Sequence, residues 1–414
     1  MHTAVKISPH YDGPVVYVPD ASRSVSVAQG LLSDNAAQYI TELNADYVKV
    51  REQHANKKQT PLWPLAKARA NKTPIDWSAY QPAVPKFIGR RVFKNFDLAE
   101  LAHYIDWSPF FQTWDLAGPY PAILTDEVVG VEAKKVLADG QALLKKIIDG
   151  RWLTANAVVA LYPANSVNDD DIAFYTDESR TEAALTWYGL RQQTEKQEID
   201  DVHGKPIMRP SRCLADFVAP RGAINSGAAP AIDTEVIALN GTNTAPVKDY
   251  AGLFAVTAGI GAEKRAAAFE TLHDDYSAIM LKSIADRLAE AFAECLHHRV
   301  RTDLWGYAPG EALTPDALIA EKYQGIRPAP GYPACPDHSV KQDMFKLLQC
   351  DEIGMDVTES LAMTPAASVS GFYIGHPEAT YFNVGRIGDD QLKDLAKRRS
   401  LDVVALQRLL APNL

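Results

Sequence analysis

The 414-residue sequence has little cysteine and no long apolar run. Its four cysteines, Cys213, Cys295, Cys335 and Cys350, form no CxxC pair, so neither a disulfide framework nor a structural zinc site is indicated. No stretch of about 18 apolar residues occurs, and the first residues do not resemble a signal peptide. These absences predict a cytoplasmic protein that does not span a membrane.

Basic residues are also fewer than acidic residues. Acidic residues outnumber basic ones by 52 to 42, which gives a formal net charge of −10. Nucleic acids and anionic membrane surfaces bind clustered Lys and Arg, so the balance argues against both as partners. With 47% hydrophobic residues the chain is expected to fold, and its length suits two domains or one large domain with an appendage.

Several signatures of catalysis or metal binding are absent or broken. The sequence has no Gly-x-Ser-x-Gly and no Walker motif, so acyl and phosphoryl transfer have no support. Gly259-Ile260-Gly261 precedes a predicted helix, but Lys264 stands where a dinucleotide fingerprint has its third glycine. Cys295, His297 and His298 lack a fourth ligand at suitable spacing. No catalytic residue and no bound metal are predicted.

The first part of the chain is predicted to contain one strand, two helices and a linker. Val15–Val18 is typical of a buried strand, and a periodic helix follows to about Leu32. Because such a strand needs neighbours on both sides, residues 1–34 are interpreted as the edge of a larger parallel α/β domain. Residues 35–86 are predicted to form a helix and then a proline-rich linker, whose aromatic residues favour packing along the following domain.

Residues 87–414 show a mixed pattern that predicts an α+β domain. Two short strands, at 157–162 and 172–175, flank a turn-rich stretch and are expected to form an antiparallel hairpin. Residues 222–247 are rich in Gly, Ala, Pro, Asn and Thr and are interpreted as a surface insertion. The apolar periodicity from about 263 to 301 predicts one long helix.

The segment Arg327–Pro336 is the most unusual in the chain, with four prolines in ten residues. Such a run cannot form a helix or a central strand and predicts a stiff loop. Arg327 offers a planar fork for a carboxylate, Gly331 permits close approach or a positive φ, and Tyr332 offers a ring face. The alternative is a rigid structural turn, and the residues alone leave both open.

Three other groups have two readings each. The aromatic residues between 367 and 382 suit either a core or a platform for an adenine and a sulfonium cation. Asp106 lies among aromatic residues and requires either a ligand ammonium or a nearby cation or helix N-terminus. Asp286, Glu290 and Glu294 recur every four residues and form an acidic stripe, which is either a solvated helix face or part of a site.

The sequence resembles the C-terminal activation domain of cobalamin-dependent methionine synthases. The resemblance runs from about Phe87 to the last residue, and the first 34 residues resemble the last strand and helix of that enzyme's cobalamin-binding domain. The segments that carry it are YIDWSPFFQTWDLAGPY (104–120), LADFVAP (214–220), HDDYSAIMLKSIADRLAEAFAE (273–294), YQGIRPAPGYPACP (323–336) and ASVSG (367–371).

This resemblance implies a C-shaped α+β domain with a twisted antiparallel sheet and a shallow groove for S-adenosylmethionine (AdoMet). The implied role is the reductive re-methylation of cob(II)alamin, with the electron from flavodoxin or an equivalent reductase. Cobalamin itself would be bound by another module, and zinc would belong only to the absent homocysteine module. The isolated chain is therefore expected to lack methionine-forming activity, although its family is a methyltransferase.

The resemblance also implies roles for individual residues. Arg327 is expected to bind the AdoMet carboxylate, Asp106 its amino group, and the segment from Ala329 through Gly331 to Tyr332 the adenosine. Tyr381 is expected near the sulfonium, whereas Phe382 departs from the tyrosine expected beside it. Glu290 is expected to approach the ligand and Asp286 to face docked cobalamin. Lys393, Lys397, Arg398 and Arg399 form a candidate basic surface for the reductase.

Two other functions are compatible with the sequence. A self-contained AdoMet-dependent methyltransferase of another class would need its own acceptor pocket and usually a glycine-rich turn, which the broken motif at Gly259 does not supply. An interaction scaffold that has lost ligand binding would need neither. Ligand titration distinguishes both from the activation-domain hypothesis.

Overall fold

The chain folds into two compact units. The computed structural model describes residues 2–18, 21–55, 60–195, 197–199, 206–225 and 245–414. The units are Met1–Pro61 and Leu62–Leu414. This division falls between the boundaries that the sequence predicts after residues 34 and 86, and those boundaries remain predictions.

The first unit contains two helices, α1 (Ala21–Leu32) and α2 (Ala36–Ala55), preceded by short helical turns at Thr3–Ile7 and Ser8–His10. Both helices were predicted from periodicity. The predicted strand at Val15–Val18 is wrong, because these residues form no strand. A strand needs a neighbour for its N–H and C=O groups, and residues 2–18 and 21–55 provide none.

The second unit combines helices with one main sheet. Its helices are α3 (Leu65–Ala70), α4 (Leu98–Leu101), α5 (Ser108–Gln112), α6 (Gly130–Asp149), α7 (Ala262–Thr271), α8 (Asp275–Arg299), α9 (Pro315–Ile319), α10 (Val340–Leu348), α11 (Asp389–Arg399) and α12 (Val403–Leu409). Its strands are β1 (Gly89–Phe93), β2 (Thr154–Val167), β3 (Asp171–Tyr175), β4 (Ala183–Tyr188), β5 (Gln197–Ile199), β6 (Pro206–Met208), β7 (Ile224–Asn225), β8 (Ala245–Pro246), β9 (Asp249–Ile260), β10 (Asp356–Val357), β11 (Met363–Thr364) and β12 (Ser368–Tyr373).

The main sheet is antiparallel and has the strand order β12-β9-β2-β3-β4, with β1 also paired to β2. The predicted hairpin is present, since Ala164 to Val167 of β2 pair with Asp171 to Phe174 of β3. Three short hairpins, β5-β6, β7-β8 and β10-β11, lie outside this sheet. The predicted α+β class with an antiparallel sheet is therefore confirmed.

Strand β2 is the centre of the fold because it is buried on both faces. Ala157, Val159 and Leu161 pack with α6 and α8 on one face. Val158 and Ala160 pack with α10 and the 214–218 turn on the other. The resulting apolar run does not alternate with polar residues, as expected for a strand covered on both sides.

The long helix predicted from 263 to 301 is two helices in the structure. Helix α7 ends at Thr271 and α8 begins at Asp275. Between them His273 adopts a φ of +60°, and the Asp274 carboxylate accepts a hydrogen bond from the Ser277 N–H at 3.0 Å. A positive φ ends a helix and an aspartate N-cap begins one, so the prediction was wrong at this break while correct on both sides.

The proline-rich segment after residue 61 is part of the second unit. The Trp63 N–H donates to the Gln193 carbonyl at 2.8 Å, and the Leu65 N–H donates to Asp390 of α11 at 2.6 Å. Arg69 bridges Asp170 and Asp394 at 2.7 and 2.8 Å. These bonds join α3 to the β2-β3 turn and to α11, in agreement with the prediction that this segment packs on the domain that follows.

Two further predictions from the sequence concern the insertion at 222–247 and membrane-spanning helices. Strands β7 and β8 pair at the base of the predicted insertion, while residues 226–244 lie outside the described residues. No helix among the described residues is long and apolar enough to cross a membrane.

Candidate functional site

The proline-rich loop lies against the end of strand β12. Ile326 and Ile374 exchange two backbone hydrogen bonds, of 2.9 and 3.0 Å, and the Phe372 N–H donates to the Pro328 carbonyl at 2.9 Å. The loop then closes on itself, since the Gly331 N–H donates to the Cys335 carbonyl at 2.7 Å. The backbone is thus fixed on both sides of the turn, so the groups it presents are held in place by the sheet.

Gly331 is required at this turn. Its φ is +97°, and a Cβ at this position would lie 2.0 Å from Cε1 of His338. A side chain here would meet backbone strain and would require the His338 ring to move. The positive φ expected from the sequence is therefore present, and it brings the loop backbone close to its surroundings.

Two adjoining cavities, of about 470 and 510 Å³, form a groove beside the loop. Both are lined by Glu290, Glu321, Arg327 and Tyr332. Most of the predicted site residues meet here: Ala329, Tyr381 and Phe382 line the first cavity, and Asp106 lines the second. Gly331 and Asp286 line neither cavity.

Arg327 lies where the two cavities join. Its Nη2 donates to Oε2 of Glu294 at 2.7 Å, and its Nε is buried without a hydrogen-bond partner among the described residues. Burial by itself would lower the pKa of Arg327, but Glu294 together with Tyr323 and Tyr381 raises that pKa above its usual value. The third nitrogen, Nη1, makes no hydrogen bond to any described residue, so a charged donor remains available to a ligand carboxylate.

Asp106 is tied to the start of a helix by one oxygen only. Its Oδ1 accepts a hydrogen bond from the Ser108 N–H at 2.9 Å, at the beginning of α5. This contact fits the alternative that a helix N-terminus satisfies the carboxylate. Its other oxygen makes no hydrogen bond to the described residues, and the side chain is half-buried at the cavity wall. The geometry therefore leaves room for a ligand ammonium as well.

The aromatic residues divide between core and groove. Phe372 and Tyr373 are buried in the hydrophobic core, as the core-packing alternative predicts. Tyr381 and Phe382 line the first cavity, and the Tyr381 hydroxyl accepts a hydrogen bond from the Arg327 N–H at 3.0 Å. Tyr332 is 60% exposed, and nearby Glu290, followed by burial, raises the pKa of its hydroxyl. Two tyrosine rings thus face a cavity where a cation could be held.

The three acidic residues of the stripe on α8 become less exposed from one to the next along the helix. Asp286 is exposed, Glu290 is half-buried at both cavities, and Glu294 is only 8% exposed. The interpretation of these three residues as a uniformly solvated helix face is therefore wrong. The reason is that α8 packs its last turns beneath the loop at Arg327.

Two groove residues were missed by the sequence reasoning. Glu294 was seen only as a member of the stripe, although it is the ion-pair partner of Arg327. Glu321 follows the C-cap of α9 with a φ of +54° and lines both cavities. Glycine usually occupies this helix-ending position, so the sequence carried no signal for a charged residue there.

Other candidate residues have structural roles. Within the described ranges no group of three or more His, Cys, Asp or Glu residues is arranged to hold a metal ion. His297 is fully buried, stacks on Tyr373, and has a pKa held well below the usual range, first by burial and then by Arg301. Of the candidate basic surface, Arg398 is paired with Asp394 and Asp171, and Arg399 with Asp337. Half of that surface charge is therefore neutralised within the fold.

Comparison with known proteins places this fold and groove in a family. Residues 97–400 match the sequence model described as vitamin B12 dependent methionine synthase, activation domain. A crystal structure of the MetH reactivation domain bound to AdoHcy (S-adenosylhomocysteine) is similar, with a TM-score of 0.74 and 47% sequence identity. That alignment covers 86% of this chain and 99% of the solved one. The chain therefore belongs to the activation-domain family of vitamin B12-dependent methionine synthases.

Proposed function

We propose that this chain binds AdoMet in the groove beside Arg327 and supports reductive re-methylation of cobalamin carried by another module. The observation that carries the proposal is the free Nη1 of Arg327 at the junction of two cavities whose other charged side chains are four carboxylates and Arg287. The similar reactivation domain was solved with AdoHcy, a ligand of the same shape.

The charges of the groove suit AdoMet in particular. The ligand carries a sulfonium, an ammonium and one carboxylate, so its net charge is positive. Asp106, Glu290 and Glu321 line the groove, while Glu294 is already paired with Arg327. Arg287 also lines it, so these three carboxylates exceed the one further cation by two charges. Unpaired carboxylates favour a cation in a partly desolvated groove. AdoHcy lacks the sulfonium charge, so the groove should bind AdoMet more tightly than AdoHcy.

Each predicted residue has a role in this proposal. Arg327 binds the ligand carboxylate, Asp106 the amino group, and the loop from Ala329 through Gly331 to Tyr332 the adenosine. Tyr381 lies near the sulfonium, and Phe382 supplies a ring face without a hydroxyl. Glu290 approaches the ligand from α8, and the exposed Asp286 faces docked cobalamin.

When bound, AdoMet would supply a methyl group to the cobalamin of another module after its reduction by one electron from a reductase, and AdoHcy would remain. The residues of this chain orient the sulfonium and exclude water; none of them is proposed to act as an acid, base or nucleophile. The partners are the cobalamin-binding module and flavodoxin or an equivalent reductase. The isolated chain is proposed to form no methionine, since zinc and cobalamin belong to other modules.

Calorimetric titration with AdoMet tests the proposed function. Arg327→Ala should weaken binding about 10- to 100-fold, because hydrogen bonds to charged groups contribute about 1.5–3 kcal/mol. The matched control is Arg408→Ala, which removes an exposed arginine of α12 outside both cavities and should leave affinity unchanged. No heat with the unaltered chain, or equal affinity in the Arg327 variant, would favour an interaction scaffold.

A further inference from the structure

A buried cluster of charges lies behind Arg327. Glu294, at the end of α8, is between two arginines: its Oε2 accepts from Nη2 of Arg327 at 2.7 Å, and its Oε1 is 3.6 Å from Nη1 of Arg301. Arg301 is fully buried and is itself held by Glu311, with Nε and Nη2 both donating at 2.8 to 3.0 Å. Two cations thus face two anions, with Glu294 the one carboxylate that contacts both arginines.

The cluster has unused hydrogen-bonding capacity. Oε1 of Glu294, Nη1 of Arg301 and Nε of Arg327 are all buried and have no hydrogen-bond partner among the described residues. A buried polar group without a partner costs about 1–3 kcal/mol, so three around one carboxylate require an explanation beyond stability. The three atoms belong to Glu294 and to the two arginines paired with it. One oxygen of Glu294 accepts from Arg327, and the other accepts no hydrogen bond from a described residue.

The position of Glu294 determines where Arg327 points. Without an anion between them, the two guanidinium groups would repel each other in a poorly solvated region. The contact at Nη2 holds one end of the Arg327 fork at α8, while Nη1 makes no hydrogen bond to a described residue. The guanidinium is planar, so fixing one nitrogen fixes the direction of the others.

We infer that Glu294 is a positioning residue: it orients the Arg327 guanidinium so that the free Nη1 meets the carboxylate of the bound ligand. Arg301 holds Glu294 in turn, and its unpaired Nη1 can take the free oxygen of Glu294 when a third carboxylate enters. This inference rests on the proposed AdoMet site. It goes further by assigning recognition of the ligand's amino-acid end to a residue that need not touch the ligand.

The test compares two ligands that differ in one group. AdoMet and decarboxylated AdoMet share the adenosine, sulfonium and amine, and only the first has the carboxylate. In the unaltered chain AdoMet should bind more tightly. In Glu294→Gln the ratio of the two affinities should fall at least about fivefold, because the uncharged amide no longer holds Arg327 against the charge of Arg301. Affinity for decarboxylated AdoMet should change less than about twofold.

Glu311→Gln is the matched control. It removes a buried carboxylate that pairs with Arg301 but not with Arg327, so it should destabilise the fold to a similar degree and leave the ligand ratio unchanged. An unchanged ratio in Glu294→Gln would overturn the inference. A raised ratio would overturn it too, because Glu294 would then compete with the ligand carboxylate.

Three further outcomes are distinguishable. If Glu294→Gln does not fold, Glu294→Asp keeps the charge but withdraws the carboxylate by one methylene, and the same fall in ratio is expected. If the unaltered chain binds neither ligand, the proposed function fails, and the positioning role fails with it. If the unaltered chain binds both ligands equally, AdoMet binding stands, but the carboxylate role of Arg327 and the inference built on it both fail.

Discussion

At the scale of single residues, the groove depends on conformations that few side chains tolerate. Gly331 has a φ of +97°, and the space where its Cβ would stand is filled by the His338 ring. The loop it belongs to also presents Arg327 and Tyr332 to the two cavities. A change at this glycine therefore reaches the site through the backbone, without altering a single polar group.

Gly331→Ala should weaken AdoMet binding by about tenfold or more, since backbone strain of this kind costs about 1–3 kcal/mol and moves the loop. Titration calorimetry measures the affinity and thermal unfolding checks the fold. Gly310→Ala is the control, because an added Cβ there meets nothing within 4 Å and the residue is exposed. Equal affinities in the two variants would show that the loop adjusts freely.

At the scale of elements, the residue that ends helix α9 lowers the stability of the fold but can contribute to ligand binding. Glu321 occupies the left-handed position after the C-cap, where its N–H donates to the Leu318 carbonyl at 2.9 Å. Left-handed backbone costs a non-glycine residue about 1 kcal/mol or more. A carboxylate that lines both cavities offers a reason for keeping such a residue at that position.

Glu321→Gly should raise the free energy of unfolding by about 1 kcal/mol. It should also weaken AdoMet binding by roughly two- to fivefold, because a partly exposed carboxylate contributes up to about 1 kcal/mol to a charged ligand. Urea denaturation and calorimetry measure the two effects. Ser400→Gly is the control: this residue ends α11 with a φ of +53°, outside both cavities, so only stability should rise. Unchanged affinity in Glu321→Gly would remove that residue from the site.

The sequence predicted the elements that have strong local signals. Helices α1 and α2, the β2-β3 hairpin and the rigid loop at Arg327 follow from periodicity, turn residues and prolines. The break at His273 was missed because the apolar pattern continues across it and no glycine or proline marks it. The pairing of Arg327 with Glu294 was also missed, since it joins residues 33 positions apart through tertiary packing.

At the scale of the whole molecule, the boundary between the two units can be tested directly. Trp63 and Leu65 are buried within the second unit, and Arg69 pairs with Asp170 and Asp394. The resemblance alone places the start of the domain at about residue 87. The structure places these earlier contacts inside the compact body.

A chain that begins at Leu62 should fold and bind AdoMet like the full chain. A chain that begins at Phe87 should be less stable by roughly 2–5 kcal/mol, because it loses buried apolar residues and leaves Asp170 short of a cation. Urea denaturation of the three chains measures the difference. Equal stability of the two shortened chains would mean that the bonds made by Arg69 and Leu65 contribute nothing, and would restore the boundary at 87.

The attachment at Arg69 also defines a path for mechanical load. Tension applied to the chain ahead of residue 62 would pass through α3 into Asp170 at the β2-β3 turn and into Asp390 and Asp394 of α11. None of these residues lines the groove. Helix α11 and the β2-β3 hairpin would bear the strain first, whereas the loop at Arg327 is held by its own backbone bonds to Phe372 and Ile374.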